Sequence, residues 1–184
     1  MIADKSALLV IDVQNQFVEG LPEEMKGLLV VESVKHVIEA FRKAGKTVIY
    51  FREVHRKSLV DFGRELDGDE DVHAVEETRA ADYFTGIEPL PEEYQIVKRR
   101  YSGFFGTDLE ILLKGLGIEH IYAVGLLTDV CVHYTCADAH QHDYHIHVVR
   151  EAVGGSSLVA HEAALAAIEY LQHGAVIGEK EVCE

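Results

Sequence analysis

Short apolar runs alternate with segments whose apolar residues recur at helical spacing along most of this chain. The longer runs predict four strands, and the shorter ones predict two more: SALLVIDV, TVIYFREVH, YQIVKRR and HIYAVGLL, then HIHVV and AVIG. Strands that alternate with helices pair in parallel, and the helices cover the faces of the sheet. The pattern therefore predicts an α/β fold built on one parallel sheet.

Helical periodicity predicts four main helices. They are residues 28–44, a helix that opens with a capping box at Thr107 and Glu110 and stops at Gly117, residues 131–142, and a last helix that ends at Gly174. The connection at 56–93 is different, because it is acidic, contains glycine and proline, and is too long for an ordinary loop. A long loop beside strand ends is expected to shape a binding site.

The composition indicates a globular domain, and the net charge limits which kinds of molecule it can bind. The chain has 184 residues, of which 48% are hydrophobic and 27% charged, as expected for one domain spanning residues 1–184. Lys and Arg number 17 against 32 Asp and Glu, and the net charge of -15 argues against nucleic-acid and anionic-membrane partners. No run approaches the roughly 18 apolar residues of a membrane helix, and no basic leader is present. We expect a cytoplasmic protein without a disulfide framework.

Four of the predicted strands end in a charged or reactive side chain. The first ends at Asp12, the second at Glu53 and His55, and the third at Lys98, while the fourth runs toward Cys131. In open parallel sheets, ligands bind at the carboxyl ends of the strands. We therefore expect these groups to converge on one crevice.

Cys131, Lys98 and Asp12 suit nucleophilic catalysis. A thiol at the start of a helix is favoured as thiolate by the helix dipole, and the cation of Lys98 would favour it further. Asp12 is the candidate for proton transfer during attack on an amide carbonyl carbon. Each residue also has a structural explanation: Cys131 as a small buried thiol at a corner, Asp12 as a turn residue, and Lys98 as a solvated edge charge.

A second group of polar residues surrounds the second strand. Glu53 and His55 project to the same side if the chain is extended, and Glu65 and His73 follow in the long loop. Carboxylate and imidazole ligands suit zinc, iron or manganese. Glu53, His55 and His73, with Glu65 as a further member, are thus a candidate divalent-metal site, and no organic cofactor is expected.

Three segments carry a family resemblance over nearly the whole chain: LLVIDVQNQF, KRRYSGFFGTDLEILLKGLGI and VGLLTDVCVHYTCADAHQHDY. In this order and spacing they resemble the isochorismatase-like cysteine hydrolases, and within them the nicotinamidases most closely. The resemblance implies a Rossmann-like three-layer fold, with a six-stranded parallel sheet and helices on both faces. It implies that Asp12, Lys98 and Cys131 are catalytic. It also implies an oxyanion hole from the backbone N–H groups of Leu127 and Cys131, with a cis peptide at Leu126–Leu127.

The resemblance implies hydrolysis of a small carboxamide, nicotinamide to nicotinate and ammonia, through a thioester. Phe17 and Tyr101 are candidates for the substrate pocket, a metal would hold the pyridine nitrogen, and we expect a homo-oligomer. Two positions depart from the nicotinamidase pattern. Glu53 stands where an aspartate is usual, and Glu70 stands where an aromatic residue commonly stacks on the pyridine ring.

Other functions stay open from the sequence. A carbamoyl or ureido amidase and an isochorismatase-type ether cleavage are alternatives within the hydrolases. A non-catalytic ligand-binding member of the fold is the alternative outside them. The histidine run between His140 and His147 is explained by a helix end with solvated imidazoles, although His145 and His147 share a strand face.

Overall fold

Six parallel strands form the centre of the computed structural model, which describes residues 2–184. Their order across the sheet is β3-β2-β1-β4-β5-β6. The strands are β1 Ser6–Ile11, β2 Thr47–Glu53, β3 Tyr94–Lys98, β4 His120–Leu126, β5 His145–Gly154 and β6 Val176–Ile177. The predicted six-stranded parallel sheet is confirmed.

Helices cover both faces of the sheet. They are α1 Asn15–Glu19, α2 Gly27–Lys43, α3 Leu109–Gly115, α4 His133–Gln141, α5 Leu158–Leu171 and α6 Glu179–Cys183. One apolar layer packs α3, α4 and α5 against the sheet, and the other packs α2 with residues of α1 and α6. Among residues 2–184, no helix has both the length and the apolar character needed to cross a bilayer.

The central strands are apolar along their whole length because both of their faces are covered. Every residue of β1 is buried, as are six of the seven residues of β4. Their alternate side chains therefore enter the two opposite apolar layers. This packing fixes the carboxyl ends of β1 and β4 side by side at the middle of the sheet.

Two local predictions are wrong. The fifth strand is ten residues long, because a bulge opposite Ala123 and Gly125 lets pairing resume at Val153 after exposed polar residues. No capping box forms at α3, since the helix begins at Leu109 behind Asp108. The hydroxyl of Thr107 donates to the Gly103 carbonyl and accepts from the Leu109 N–H at 3.3 Å rather than from that of Glu110.

The long connection at 56–93 folds back over the carboxyl end of β2. His55 N–H donates to the Ala74 carbonyl at 2.9 Å, and Glu76 N–H donates to the His55 carbonyl at 2.8 Å. Phe62 of this loop is buried. The loop therefore forms one wall of the crevice at the strand ends.

Candidate active site

The chemically reactive side chains meet at the carboxyl edge of the sheet. Asp12 directly follows β1, Glu53 and Lys98 are paired final residues of β2 and β3, and Cys131 lies in a π-helical turn after β4. Asp12, Glu53 and Cys131 line one cleft. The structure thus brings together the four strand-end groups that the sequence pattern selected.

Lys98 is the centre of this cluster. Its Nζ lies 2.6 Å from Asp12 Oδ2, 2.5 Å from Glu53 Oε2 and 3.3 Å from Cys131 Sγ. It also donates to the Arg100 carbonyl at 2.9 Å. Asp12, Glu53 and Cys131 are close enough together to hold a metal ion. Here the ammonium group of Lys98 supplies the positive charge between them.

Burial and charge set the protonation of this cluster. Burial opposes a charged Lys98, but Asp12, Cys131 and Glu53 outweigh it and raise the pKa of Lys98 well above its ordinary value. Burial raises the pKa of Asp12 to about 6, although the charge of Lys98 opposes this shift. Asp12 can therefore both accept and release a proton near neutrality.

The thiol of Cys131 differs from the sequence expectation of a stabilised thiolate. Burial raises the pKa of Cys131 well above its ordinary value, and the charges of Asp12 and Glu53 add to this against the opposing effect of Lys98. Glu53 Oε2 lies 3.6 Å from the sulfur. With two carboxylates around one ammonium, the resting sulfur is a protonated thiol that needs a base.

Unusual backbone geometry shapes the floor of the cleft. Asp12 has a left-handed φ of 49°, which few residues other than glycine adopt. Gly125 has a φ of 116°, and a Cβ there would lie 2.0 Å from the Ile11 carbonyl oxygen. The glycine therefore lets β4 pass close to the end of β1, directly beside Asp12.

The turn that carries Cys131 begins at the expected cis peptide between Leu126 and Leu127, which is confirmed. The Leu127 carbonyl accepts from the N–H groups of both Val130 and Val132 at 3.1 Å. These two bonds fix the turn on either side of Cys131. The oxyanion hole from Leu127 and Cys131 stays a prediction.

The predicted pocket residues line the cleft. Phe17 and Tyr101 both border it, together with apolar Leu126, Leu127 and Val130. Glu70 and His73 of the long loop line it as well, and the ring of Phe17 meets that of His73 edge-on at 5.8 Å. The cleft therefore combines apolar walls with the charged groups around the sulfur and with Glu70 from the long loop.

A second buried cluster shares Glu53 with the first. Glu53 Oε1 lies 2.9 Å from His73 Nε2 and 3.3 Å from His55 Nε2. Glu65 Oε2 is 3.6 Å from His55 Nε2, and Glu65 Oε1 is a buried oxygen without a hydrogen-bond partner. One carboxylate and two imidazoles with atoms within 4.8 Å of one another fit a divalent metal. Glu65 lies close enough to join them.

The hydrogen bonds of His73 also point to a cation between this ring and Glu53. Its Nδ1 lies 2.7 Å from the Asp71 carbonyl, which only accepts, so the proton is on Nδ1. Its Nε2 then faces Glu53 Oε1, and two acceptors cannot bond unless a proton or a metal lies between them. Burial opposes a charged ring, but the bond to Glu53 raises the pKa of His73 to about 8.

Sequence reasoning missed three supporting contacts. Gln14 is buried and clamps the backbone of Glu53, donating to its carbonyl at 2.9 Å and accepting from its N–H at 2.8 Å. Phe62 stacks on His55 with ring centroids 3.8 Å apart. Glu53 itself serves both clusters. Only Gln14 gave a signal, as a polar residue just after the apolar run that ends at Asp12.

The histidine run does not reach the cleft. His145 and His147 lie on β5, as expected for a shared strand face, and their rings stack against His120 of β4. These residues lie at the amino ends of their strands, because β4 begins at His120 and β5 begins at His145. They are therefore at the opposite edge of the sheet from Cys131.

Comparison with known proteins places these features in a family. The isochorismatase domain model matches residues 6–181. A probable inactive nicotinamidase from Arabidopsis thaliana is 34% identical over 86% of this chain and 85% of its own. Pyrazinamidase of Pyrococcus horikoshii, solved with zinc, superposes with a TM-score of 0.81 at 31% identity over 95% and 99% of the two chains. N-carbamoylsarcosine amidase from Thermoplasma acidophilum gives 0.80 at 28% identity over 96% and 98%.

Proposed function

This chain belongs to the isochorismatase family of hydrolases, and on that premise we propose that it is a cysteine-dependent amidohydrolase of a small carboxamide. The observation that carries the proposal is the contact of Lys98 with both Asp12 and Cys131 at the base of the cleft. A nucleophile, a base and a cation that orients them form the arrangement that covalent catalysis requires.

Acylation begins with the protonated thiol. Asp12 accepts the proton of Cys131 as the sulfur bonds to the carbonyl carbon of the amide, and the carbonyl oxygen becomes an oxyanion. The backbone N–H groups of Leu127 and Cys131 are the proposed donors to that oxygen. As the C–N bond breaks, Asp12 returns the proton to the nitrogen. Ammonia leaves, and a thioester remains on Cys131.

In deacylation, Asp12 again accepts a proton and then gives it up. Asp12 accepts a proton from water as the water oxygen bonds to the thioester carbon. The C–S bond then breaks, the acid is released, and the sulfur takes the proton back from Asp12. Lys98 stays protonated throughout because its pKa is raised well above the ordinary value by the surrounding anions despite its burial. Its role is to hold Asp12 beside the sulfur.

Nicotinamide is the first substrate to test. The zinc-bound pyrazinamidase is similar in fold and sequence, and the cluster of Glu53, His55 and His73 fits a divalent metal, with Glu65 beside it. Such an ion, when bound, would act as a Lewis acid that holds a ring nitrogen of the substrate. Phe17 and Tyr101 offer aromatic surface to a flat ring in the same cleft.

A carbamoyl or ureido amidase is the second candidate. Glu70 lines the cleft at the position where a stacking aromatic residue is expected, so one contact to a pyridine ring is missing. A carboxylate can instead accept hydrogen bonds from the N–H groups of a urea-like substrate. The structural similarity to N-carbamoylsarcosine amidase supports this alternative.

Release of ammonia from a panel of amides tests the proposal. The panel contains nicotinamide, pyrazinamide and several carbamoyl and ureido compounds, each assayed with chelator and with added zinc, iron or manganese. We expect turnover of at least one compound by the wild-type protein and none by Cys131→Ala. If folded wild-type protein hydrolyses none of them under any metal condition, a non-catalytic ligand-binding role replaces the proposal.

A further inference from the structure

Beside the cleft lies an outer vestibule of about 270 Å³. Phe17, Glu70, His73 and Leu127 line both spaces and therefore form the boundary between them. Glu70 thus lies in the same cleft as Cys131 and at its border with the vestibule. The groups at this boundary act on the part of the substrate that does not react.

Glu70 is the acidic side chain at this boundary. Glu70 lines both spaces and its side chain is 42% exposed, and Asp71 lines the vestibule. No Lys or Arg is among the described residues that line either space. Lys98, the cation at the base, is enclosed with its side chain 0% exposed. Its charge is balanced by Asp12 and Glu53.

Other cations near the cleft are committed to protein groups. Both ring nitrogens of His73 are engaged, Nδ1 with the Asp71 carbonyl and Nε2 with Glu53, and Glu70 Oε2 lies 3.8 Å from Nδ1. Arg99 and Arg100 pair with acids of the long loop: Arg99 Nε is 3.2 Å from Asp61 Oδ2, and Arg100 Nη1 is 3.4 Å from Glu65 Oε2. Among the described residues that line the two spaces, a carboxylate on a substrate would therefore find no unpaired basic side chain.

We propose that Glu70 makes the cleft selective for amides whose non-reacting end is cationic or rich in N–H donors, and selective against anionic amides. This inference rests on the proposed amidohydrolase function of the same cleft. A carboxylate attracts an ammonium or urea-like group through charge-assisted hydrogen bonds and repels a carboxylate. Because Glu70 is at a partly exposed rim, its effect is on substrate binding rather than on the chemical step.

Two matched series of amides test this selectivity. The aliphatic series is β-alaninamide, butyramide and succinamate, and the aromatic series is meta-aminomethylbenzamide, benzamide and meta-carboxybenzamide. Within each series the size is similar and the charge goes from positive through neutral to negative. Turnover is measured at neutral pH and low salt for wild type, Glu70→Gln and Glu92→Gln. Glu92 is an exposed acid that lines a different surface groove, so its variant controls for net charge.

We expect kcat/KM to fall from the cationic to the neutral to the anionic amide in the series that is turned over. Glu70→Gln should reduce the preference for the cationic over the neutral amide by about five- to tenfold, mainly through KM. Glu92→Gln should leave this ratio unchanged. Equal or better turnover of the anionic amide by wild type, or an unchanged ratio in Glu70→Gln, overturns the inference while the amidohydrolase function stands.

Binding provides a readout that does not depend on turnover. Calorimetry with the Cys131→Ala protein measures the affinities of the same six amides, again with and without Glu70→Gln. If neither these six amides nor the ammonia-release panel is hydrolysed, but the cationic members bind more tightly and lose this advantage in Glu70→Gln, the proposed function fails and the charge selectivity stands. If the cationic amides bind no better than the anionic ones, the selectivity is wrong whatever the activity.

Discussion

Lys98 provides one positive charge for two carboxylates and a thiol. This excess of acidic groups decides whether the sulfur of Cys131 is protonated. The Nζ of Lys98 contacts Asp12 and Glu53 at 2.6 and 2.5 Å, and Cys131 at 3.3 Å. Asp12 and Glu53 together with a thiolate would place three negative charges around one ammonium. The cluster therefore keeps the proton on sulfur until Asp12 accepts it during the attack on substrate.

Replacing the nucleophile should stop turnover without unfolding the protein. Cys131→Ala removes only the sulfur, and alanine suits the helical turn that carries it, so we expect a loss of activity to the background rate. The matched control is Cys136→Ala, which removes a buried sulfur from α4 on the same side of the sheet. Ammonia release by both variants checks the prediction, and a tenth of wild-type activity in Cys131→Ala would contradict the covalent mechanism.

Removing a negative charge should make the resting thiol more reactive. Glu53 raises the pKa of Cys131 in addition to the effect of burial, so Glu53→Gln should lower that pKa and speed alkylation at neutral pH. Iodoacetamide labelling followed by mass spectrometry measures the rate at Cys131 alone. Glu92→Gln is the control for net charge. Equal labelling rates in Glu53→Gln and wild type would mean that Glu53 does not influence the sulfur.

The pKa of Asp12 predicts how kcat/KM depends on pH on the acid side. This pKa, raised to about 6 mainly by burial, means that the carboxylate is the base form above this pH and is protonated below it. We expect kcat/KM to fall about tenfold per pH unit below that pKa, because only the base form accepts the thiol proton. Asp12→Asn should lose roughly 10² to 10⁴ in rate and this acid limb with it. An unchanged profile in Asp12→Asn is incompatible with this role.

The strand-end pattern was sufficient to bring Asp12, Lys98 and Cys131 together, because parallel strands place their carboxyl ends on one edge. The same pattern did not predict that Glu53 contacts Lys98 as well as both histidines. That contact depends on the pairing of Glu53 with Lys98 across β2 and β3, and on the clamp from Gln14. A single sequence does not show which strands are neighbours or in which register they pair. The second carboxylate beside Lys98, which raises the pKa of Cys131, was therefore not predictable.

At the scale of elements, the predictions failed where local signals compete with tertiary packing. The capping box at Thr107 has the correct residue types, but its hydroxyl bonds to Gly103 and α3 begins at Leu109. Likewise, the strand after His145 continues beyond its apolar run because β4 offers a pairing edge as far as Leu126. The first outcome depends on the irregular turn that brings Gly103 to Thr107, and the second depends on β4, which is remote in sequence from the end of β5.

The close approach of β4 to β1 gives an element-scale prediction. Gly125→Ala should destabilise the protein by at least about 3 kcal/mol, because its Cβ would overlap the Ile11 carbonyl oxygen and its φ suits only glycine. The control is Gly117→Ala, which also has a positive φ but open space around the added Cβ, and should cost about 1 to 2 kcal/mol. Urea unfolding of both variants measures the difference. Similar losses would show that the overlap is relieved at little cost.

For the molecule as a whole, the net charge of -15 and the acidic mouth of the cleft act in the same direction. Like charges on the surface and at the mouth lower the local concentration of anionic ligands at low salt and raise that of cations. A divalent metal ion benefits from the same field. The predicted homo-oligomer stays a prediction, and sedimentation equilibrium would give the subunit number.

The cluster of Glu53, His55 and His73 predicts the metal content of the purified protein. Glu53 Oε1 faces His73 Nε2 at 2.9 Å, and His73 already donates through Nδ1, so a cation must lie between them. If it is a metal ion held by Glu53, His55 and His73, elemental analysis should find about one equivalent of zinc, iron or manganese per chain. Removal by chelator should then lower the melting temperature, because the ion binds the folded state alone.

Two histidine variants separate this site from adventitious binding. His55→Ala should lose the metal and its effect on melting, whereas His145→Ala, at the opposite edge of the sheet, should keep both. Calorimetry of the chelated protein with zinc gives the stoichiometry without any activity assay. If wild-type protein binds no metal in either measurement, the cation is the proton of His73, whose pKa is raised to about 8 by Glu53 despite burial. A substrate would then be held without a metal, and heteroaromatic amides would lose their advantage over aliphatic ones.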